Sequence, residues 1–327
     1  MTTHPVQLSI IVVSYNTRDA TIACLRSAIE NAPAGSELVV VDNGSSDDSA
    51  AAVREAFPAA TVIEAGRNLG FARGVNLGVR HATGDYIVLL NPDTVVLDGS
   101  LSTLVAFAVA RPEFGLYGGR TIRRDGSTDP SSCWGAPSIW SLTCFATGLS
   151  TVFRRSRFFD PESLGRWERD SVREVPIVTG CLLLMRRAHW DALGGMEERF
   201  FLYGEDAEFS LRAARHGYRP VIVPDAVIVH DVGGSTASSG RKMTLVMAGK
   251  VTMLTRSWAW GRAAVGIRLL LLGTANRALL EWASRRRSTT WRTVWRARAD
   301  WRAGYPRAER ALFADADADA AGAEARV

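Results

Sequence analysis

The chain has 327 residues, of which 47% are hydrophobic and 22% are charged. This composition is typical of folded globular domains; it excludes a wholly disordered chain and allows one large domain with an appendage. The net charge of +5 conceals an asymmetry, because residues 241–310 hold 16 Arg and Lys against three acids, about +13, whereas residues 1–240 carry about −5.

Short apolar runs alternate with helical patterns in the first part of the chain. Strands are predicted at residues 8–13, 37–42, 61–65 and 85–93, and helices near 19–31, 47–56 and 71–82. Continuous apolar runs such as IIVV and IVLL are typical of strands buried on both faces, and the intervening helices would cover them. The order predicts an α/β fold with a mainly parallel sheet flanked by helices.

Polar residues directly follow three of these apolar runs, as SYN at 14–16, DNGS at 42–45 and NPD at 91–93. Each has a local explanation, because such residues also turn the chain or cap the next helix. In open parallel sheets, however, ligands bind beyond the carboxyl ends of the strands. Their joint appearance at three strand ends favours a ligand site.

The sequence changes character near residue 235, where the Gly/Ser-rich stretch GGSTASSGRK precedes basic, helix-forming sequence. We therefore expect a catalytic domain at 1–235, a basic, Trp-rich α-helical C-terminal region at 236–310 and an acidic, disordered tail at 311–327. Arg268 and Arg277 interrupt the apolar windows of this region, so a transmembrane span is not expected.

Three partners are conceivable for the basic helical region. Trp and Arg on amphipathic helices suit an anionic membrane surface, where rings lie among headgroups and cations meet lipid phosphates. The same pattern would serve packing against the catalytic domain or in a homo-oligomer. Nucleic-acid binding is not expected, because no recognised nucleic-acid module accompanies the charge.

The cysteines indicate a reducing compartment. Four are scattered along the chain without a CxxC pair, which favours free thiols. The N-terminus lacks a basic segment followed by an apolar core, so no signal peptide is expected and a cytoplasmic location is predicted.

Seven longer motifs together resemble a known family. They occur in order between residues 8 and 230: SIIVVSYN, VVVDNGSSD, NLGFARGVNLG, ATGDYIVLLNPD, VTGCLLLMRR, ERFFLYGEDAEFSLRAARHGY and VIVH. As a set they resemble family-2 inverting glycosyltransferases of the GT-A fold, in the rhamnosyltransferase-like group that acts on surface polysaccharide or lipid-linked acceptors. The resemblance implies a nucleotide-diphospho-sugar donor, a lipid-linked or saccharide acceptor, and Mg²⁺ or Mn²⁺ as cofactor.

A metal site has a chemical reason, because sugar transfer leaves a diphosphate whose growing charge must be neutralised. The resemblance implies that Asp93 and His230 bind the metal. Asn91 stands where the family's Asp-x-Asp motif has its first carboxylate, which lowers the local negative charge by one. A strand-end histidine such as His230 could also be structural.

The resemblance also implies a set of nucleotide-sugar-binding residues. Asp42 would read the base or the ribose, glycines near Gly70 would permit close approach to the ligand or merely tight helix packing, and two arginines would contact the diphosphate. The full set is Ser14, Tyr15, Asn16, Asp42, Asn68, Gly70, Asn76, Asn91, Arg67 and Arg73.

The adjacent acids Glu205 and Asp206 could simply complement a helix dipole. In the family that the motifs resemble, the second acid is the general base, so Asp206 would take the proton from the acceptor hydroxyl. Glu205 would position the acceptor or Asp206, and Glu208 would support the acceptor or the helix dipole. Thr179, Gly180 and Cys181 would border the acceptor side, and residues 123–175 would carry acceptor specificity.

The sequence leaves several alternatives open for the donor and for the class of protein. The subgroup resemblance favours dTDP-rhamnose as donor, with UDP-galactose, UDP-glucose or another hexose donor as rivals. A catalytically silent nucleotide-sugar-binding or scaffold protein would explain Asn91. A nucleotidyltransferase should have a glycine-rich phosphate loop after its first strand, and a dinucleotide-binding oxidoreductase should have GxGxxG there, whereas the chain has SYNTRD.

Overall fold

A computed structural model of the protein describes residues 7–230, 239–284 and 289–311. The predicted acidic tail, from residue 312 onward, and part of the Gly/Ser-rich connector lie outside these residues. The chain divides into two compact units. The first comprises residues 1–136, 162–197 and 206–235, and the second comprises residues 137–161, 198–205 and 236–327.

The first unit contains the strands. They are β1 (Leu8–Ser14), β2 (Glu37–Asp42), β3 (Thr61–Glu64), β4 (Tyr86–Leu90), β5 (Thr94–Val96), β6 (Gly115–Ile122), β7 (Thr128–Asp129), β8 (Cys133–Trp134), β9 (Arg173–Glu174), β10 (Ile177–Val178), β11 (Leu182–Arg186) and β12 (Arg219–His230). Ten of them form one sheet, with the main order β3-β2-β1-β4-β11-β6-β12-β5, and with β7 on β6 and β9 on β12. β8 and β10 form a separate antiparallel pair.

Helices occur in both units. In chain order they are α1 (Arg18–Asn31), α2 (Ser49–Ala56), α3 (Phe71–His81), α4 (Ser100–Ala110), α5 (Ile139–Thr147), α6 (Leu149–Val152), α7 (Arg187–Leu193), α8 (Glu205–Arg215), α9 (Ser239–Ser257), α10 (Trp260–Ala283), α11 (Thr290–Arg296) and α12 (Arg298–Trp301). The second unit contains α5, α6 and α9 to α12.

The parallel half of the sheet follows from strands that are buried on both faces. Every residue of β1 is buried, and alternate side chains enter two different cores, Ile10 and Val12 on one face and Ile11 and Val13 on the other. β1 pairs in parallel with both β2 and β4. Helices cover both faces because neither face can be left to water. The predicted α/β fold with a mainly parallel sheet is confirmed.

β11 changes the direction of the sheet at its centre. It pairs antiparallel with β4, with Leu182 opposite Leu90, and antiparallel with β6. β6 therefore runs in the same direction as β4, and β12 pairs in parallel with β6. As a result, β1, β2, β4 and β12 all end at the edge of the sheet where β11 begins.

Close packing of α5 on α10 organises the second unit. A Cβ at Gly273 would lie 2.5 Å from the Phe145 ring, so the missing side chain lets the two helices approach. Arg277 of α10 donates to the Phe145 carbonyl at 2.6 Å. By length and composition α10 could cross a membrane, and 33% of its apolar window is buried.

Replacing Gly119 in β6 by Ala is expected to destabilise the first unit. The added Cβ would lie 2.3 Å from the Ala226 carbonyl oxygen and 2.3 Å from the Leu182 Cδ2, and a backbone atom beside the β12 bulge cannot rotate away. We expect the unfolding free energy in urea to fall by on the order of 3 kcal/mol.

Gly261→Ala is the control, because a Cβ at Gly261 meets nothing within 4 Å. In the α10 helix this change is expected to be neutral or to stabilise by up to about 1 kcal/mol. An unchanged denaturation midpoint for Gly119→Ala would contradict the packing argument.

Candidate active site

The predicted site residues gather at one edge of the sheet. Ser14 ends β1, Asp42 ends β2, Asn91 follows β4 and His230 ends β12. Cys181 directly precedes β11, and its carbonyl accepts a hydrogen bond from the Asn91 backbone N–H at 3.4 Å. These polar groups therefore converge where open α/β sheets bind ligands.

Asp42 carries a buried carboxylate that is only partly satisfied. The residue is 5% exposed, and its Oδ2 accepts a hydrogen bond from the Ser45 backbone N–H at 3.1 Å. Its Oδ1 is buried and has no hydrogen-bond partner within the described part of the chain. An unpaired buried acceptor costs roughly 1–3 kcal/mol, so a ligand that brings a donor would relieve this cost.

Asn16 joins the loops after β1 and β2. Its backbone N–H donates to Ser45 Oγ at 3.0 Å, and its side-chain Oδ1 accepts from the Ser46 N–H at 2.8 Å. Asn16 has a φ of 52°, which asparagine tolerates better than most residues. Of its neighbours, Tyr15 is 36% exposed, whereas Ser14 is buried and bonds the Thr21 hydroxyl at 2.9 Å.

Asn43 is a buried connector, which the sequence analysis placed among the polar residues after the second strand without assigning it a role. Its side chain donates to Asn68 Oδ1 at 3.0 Å and to the Gly70 carbonyl at 3.2 Å, and it accepts from the Leu69 N–H at 2.9 Å. It thereby fixes the loop that leads into α3. The signal was present, because Asn43 directly follows Asp42 at the end of a strand.

The remaining predicted donor-side residues differ in their surroundings. Arg67 is exposed, with its backbone so close to Gly44 that a Cβ there would lie 2.7 Å from the Arg67 Cα. Arg73 is half-buried in α3 and bonds the Leu69 carbonyl at 3.3 Å. Asn76 is buried and exchanges two 2.9 Å hydrogen bonds with the Met196 backbone, which ties α3 to a distant loop.

His230 lies between two carboxylates. Its Nε2 is 3.4 Å from Asp93 Oδ1, and its Nδ1 is 3.7 Å from Asp129 Oδ2 and 3.4 Å from Ser131 Oγ. Burial alone would lower the pKa of His230, but the hydrogen bonds and charges of Asp129 and Asp93 outweigh it and raise the pKa to about 9.

Asp129 is a site residue that sequence reasoning missed. It ends β7, is 5% exposed, and pairs with the Ser131 backbone N–H at 3.3 Å. Burial would raise the pKa of Asp129, yet the hydrogen bonds from His230 and Ser131 lower it. No sequence pattern pointed to it, because a TDP stretch within a polar segment is typical of an ordinary turn.

Asp93 and His230 fit a divalent cation in spacing and chemistry. Two neighbouring ligands on an octahedral ion with bonds near 2.1 Å lie about 3 Å apart, and the Asp93 Oδ1 to His230 Nε2 distance is 3.4 Å. No group of three or more His, Cys, Asp and Glu side chains that could hold a metal occurs among the described residues. A cation here would therefore need oxygens from a diphosphate and water, as Mg²⁺ usually does.

Asp206 is the second residue of α8 and is half-buried. Its carboxylate accepts a hydrogen bond from the Ala207 N–H at 2.7 Å. Burial raises the pKa of Asp206, although hydrogen bonds from the backbone of Ala207 and Gly180 oppose the shift. Its carboxylate is consequently more basic than that of an ordinary aspartate.

Residues 179–181 join the Asp206 side of the site to the His230 side. Thr179 Oγ1 donates to the Ser131 carbonyl at 2.8 Å and lies 3.0 Å from Cys181 Sγ. A Cβ at Gly180 would lie 2.9 Å from the Phe71 ring. Burial raises the pKa of the Cys181 thiol to about 12, so this sulfur stays protonated and is not a nucleophile.

The other two predicted acids are also buried. Glu208 pairs with Arg212 through two contacts of 3.0 Å, and Arg212 bonds the Gly195 carbonyl at 2.9 Å. Glu208 thus anchors α8 to the neighbouring loop. Glu205 is the first residue of α8, is 4% exposed and belongs to the second unit.

Comparison with family models gives two matches. The model of "Glycosyl transferase family 2" matches residues 9–188, which is more than half of the chain, and that of "Glycosyl transferase family group 2" matches residues 141–301.

Two curated relatives are similar in sequence. An N-acetylglucosaminyl-diphospho-decaprenol L-rhamnosyltransferase of Mycobacterium tuberculosis is 29% identical over 210 residues, covering 61% of this chain and 67% of that protein. The low-salt glycan biosynthesis hexosyltransferase Agl10 of Haloferax volcanii is 26% identical over 214 residues, covering 64% of this chain and 62% of that protein.

Two solved structures share the fold. The mannosyltransferase PcManGT from Pyrobaculum calidifontis, in complex with GDP-Man and Mn²⁺, superposes with a TM-score of 0.58 at 22% identity, covering 95% of this chain and 88% of that chain. GalNAc-T7 with UDP, GalNAc and Mn²⁺ gives a TM-score of 0.60 at 14% identity, covering 93% and 59%. These likenesses confirm the predicted GT-A fold.

Asp129→Asn is expected to lower the pKa of His230 from about 9 toward its ordinary 6.5, because it removes one of the two carboxylates that favour the imidazolium. NMR titration of the imidazole C–H signals measures the change, with His230→Gln identifying the resonance. Asp125→Asn, an exposed residue nearby, is the control and should leave the titration unchanged. An unaltered midpoint in Asp129→Asn would contradict the contact.

Proposed function

The chain belongs to glycosyl transferase family 2, as the match over residues 9–188 shows, and we propose that it is an inverting transferase. It moves a sugar from a nucleotide-diphosphate donor to a hydroxyl of a lipid-linked or saccharide acceptor. The observation that carries the proposal is that the basic Asp206 carboxylate and the Asp93–His230 pair are linked through residues 179–181 at one sheet edge.

Asp206 acts as the general base. It takes the proton from the acceptor hydroxyl while that oxygen attacks the anomeric carbon on the face opposite the diphosphate. One carbon–oxygen bond forms, the bond to the diphosphate breaks with its electron pair, and a single displacement inverts the configuration. Glu205 precedes the base on α8 and positions the acceptor or Asp206.

Asp93 and His230 would hold Mg²⁺ or Mn²⁺, which would supply positive charge for the leaving diphosphate. Asp129 orients the imidazole, since its contact with Nδ1 leaves Nε2 directed at Asp93. As a ligand, His230 would be neutral, so metal binding would release the proton that its raised pKa of about 9 favours. The Mn²⁺ in both neighbouring structures supports this use of the site.

The donor binds along the loops after β1, β2 and β3. Asp42 offers its unpaired Oδ1 to a donor group of the base or ribose, and Asn43 holds the loop around Asn68 and Gly70 in place. Rhamnose from dTDP-rhamnose is the proposed sugar, supported by the mycobacterial relative. A UDP-hexose is the alternative donor. The alternative function is a catalytically silent nucleotide-sugar-binding protein, and its supporting feature is Asn91, which stands in place of a carboxylate.

We also propose a lipid-linked acceptor and a location at the inner face of the cell membrane. The same relative acts on a decaprenol-linked diphosphate sugar by its name, which supports a lipid-linked acceptor. Trp260, Leu280 and Trp282 of α10 are 88%, 67% and 69% exposed, and we place this basic helical region on the inner face of the cell membrane, with the enzyme in the cytoplasm. A full chain that does not sediment with anionic vesicles would contradict the membrane contact.

Asp206→Asn is expected to reduce transfer by a factor on the order of 10²–10⁴, the range typical of a positioned base. In the wild type, transfer should fall on acidification through a pKa above the ordinary 3.8 of aspartate. Initial rates of nucleoside-diphosphate release against pH measure both effects.

A stability measurement distinguishes loss of the carboxylate from misfolding of the Asp206→Asn variant. Because the folded-state pKa of Asp206 is raised, the unfolded chain ionises first, and stability falls as pH rises from the unfolded to the folded pKa. Asp206→Asn should therefore be at least as stable as wild type at pH 7. Asp191→Asn, an exposed aspartate of α7, should leave both rate and stability unchanged. Near-normal turnover in Asp206→Asn would overturn the assignment.

Release of nucleoside diphosphate from dTDP-, UDP- and GDP-sugars tests the proposed function itself. We expect release from one donor, dependent on Mg²⁺ or Mn²⁺ and abolished by chelator. Asp93→Asn and His230→Gln should raise the half-saturating metal concentration at least about tenfold, whereas the exposed His216→Gln should not. Binding of a nucleotide sugar without release, even with lipid-linked saccharide acceptors present, would favour the silent binding protein.

A further inference from the structure

A short segment of the second unit exposes large apolar side chains. Val152 ends α6 and is 74% exposed, Phe153 is 47% exposed, and Phe158 is 63% exposed. Trp140 of α5 is 41% exposed beside them. We call residues 152–158 the aromatic loop. Side chains of this size, clustered and open to solvent, mark a binding surface more often than single exposed residues do.

Aromatic contacts fix the shape of the aromatic loop. Phe159 stacks on Phe153 with ring centroids 4.8 Å apart and meets Phe158 edge-on at 5.0 Å. Trp140 lies 5.0 Å from the Phe158 ring, and its indole N–H donates to the Phe158 carbonyl at 2.7 Å. The rings are therefore already ordered while still exposed, so a partner need not supply much of the ordering free energy.

The backbone of the aromatic loop is a compact turn. Arg155 has a φ of 60°, and its N–H donates to Asp160 Oδ2 at 2.9 Å. The Asp160 N–H donates to the Ser156 carbonyl at 2.9 Å, and the Ser156 N–H donates to the Phe153 carbonyl at 3.1 Å. This hydrogen-bonded turn keeps the apolar side chains and the arginines close together in one short segment.

Three cations lie between the apolar side chains of the aromatic loop. Arg154, Arg155 and Arg157 are all exposed, and each lies within two residues of Phe153 or Phe158. Aromatic rings enter the headgroup region of a bilayer, and arginines beside them meet lipid phosphates. An anionic lipid surface complements both properties.

Arg277 joins α10 to α6, the short helix that leads into the aromatic loop. Its guanidinium bonds the Thr151 hydroxyl at 2.9 Å and the Phe145 carbonyl at 2.6 Å. Leu280 and Trp282, the exposed residues near the end of α10, follow Arg277 within two helical turns. The aromatic loop and this end of α10 are thus tied within one unit.

We propose that the aromatic loop is a second membrane-binding element, which inserts Val152, Phe153 and Phe158 into the interface of an anionic bilayer while Arg154 and Arg157 bind lipid phosphates. The inference rests on the membrane contact proposed for α10 and adds a separate element to it. The occupant is the bilayer surface itself, because exposed arginines flanked by exposed apolar side chains on a preformed turn match its phosphate layer and the apolar layer beneath.

Vesicle sedimentation of the full chain tests the proposal. Wild type should sediment with phosphatidylcholine vesicles that contain phosphatidylglycerol and much less with phosphatidylcholine alone. Val152→Ser with Phe158→Ser, and separately Arg154→Gln with Arg157→Gln, should each weaken partitioning about tenfold or more. Arg26→Gln with Arg80→Gln removes two exposed charges elsewhere, and Val109→Ser removes an exposed apolar side chain; both should stay within about twofold of wild type.

A fluorescent label reports insertion directly. The four native cysteines are buried, so Val152→Cys offers one accessible thiol for an environment-sensitive fluorophore. We expect its emission to shift to the blue on anionic vesicles, whereas the same label on Val109→Cys should not respond. Thermal melts that match wild type exclude misfolding of the variants.

The outcomes distinguish membrane binding by the whole chain from membrane binding by the aromatic loop. A wild-type chain that stays in the supernatant overturns the membrane contact and the aromatic loop together, without touching the catalytic proposal. Sedimentation that the loop variants retain overturns the loop alone. Self-association without lipid that the loop variants abolish, with no label response to vesicles, assigns the loop to an interface between copies and also overturns it.

Discussion

The antiparallel strand β11 is the constraint on which the site depends. Because it runs against both β4 and β6, the chain that leads into it arrives at the edge where the parallel strands end. Residues 179–181 are thereby set between Asn91, Ser131 and Asp206. A parallel strand in the same place would begin at the opposite edge, and this segment could not connect Asp206 to the Asp93–His230 pair.

Charge balance explains the arrangement around His230. Two carboxylates, Asp93 and Asp129, face one imidazole, and the raised pKa of His230 means that the ring carries a proton that neutralises one of them. A bound cation would take over that positive charge as the proton leaves. Asn91 lowers the negative charge of the strand-end motif by one, and Asp129 adds one from β7. Asp129 thus places its carboxylate against Nδ1 of the ring, while Asp93 contacts Nε2.

Local patterning predicted the fold and part of the site. Strands buried on both faces, such as β1 and β4, are recognisable from continuous apolar runs, and the residues that end them are then placed by the geometry of any parallel sheet. Asp42 and Asn91 were located in this way, whereas His230 was proposed from the family resemblance. The whole motif set pointed to the family that the match over residues 9–188 shows.

Residues brought in from other elements could not be predicted in the same way. Asp129 reaches His230 across about a hundred residues, through a two-residue strand with no apolar pattern. The direction of β11 follows from pairing and not from its own sequence, since LLLMR would suit either orientation. Likewise, the glycine-rich sequence around Asn76 suggests a ligand-binding residue. In the structure, the side-chain amide of Asn76 forms two hydrogen bonds with the Met196 backbone.

Two carboxylates of the site, those of Asp42 and Asp206, are held in the fold at a cost in free energy. Burial raises the pKa of Asp206, which means that the fold disfavours the ionised form of this carboxylate. The unpaired Oδ1 of Asp42 carries a cost of the same kind. In the proposed function, a proton from the acceptor hydroxyl would satisfy Asp206, and a donor group of the nucleotide would satisfy the Oδ1 of Asp42. The two substrates would thus complete interactions that the fold leaves open, and the sheet beneath them would keep both groups in place before either substrate arrives.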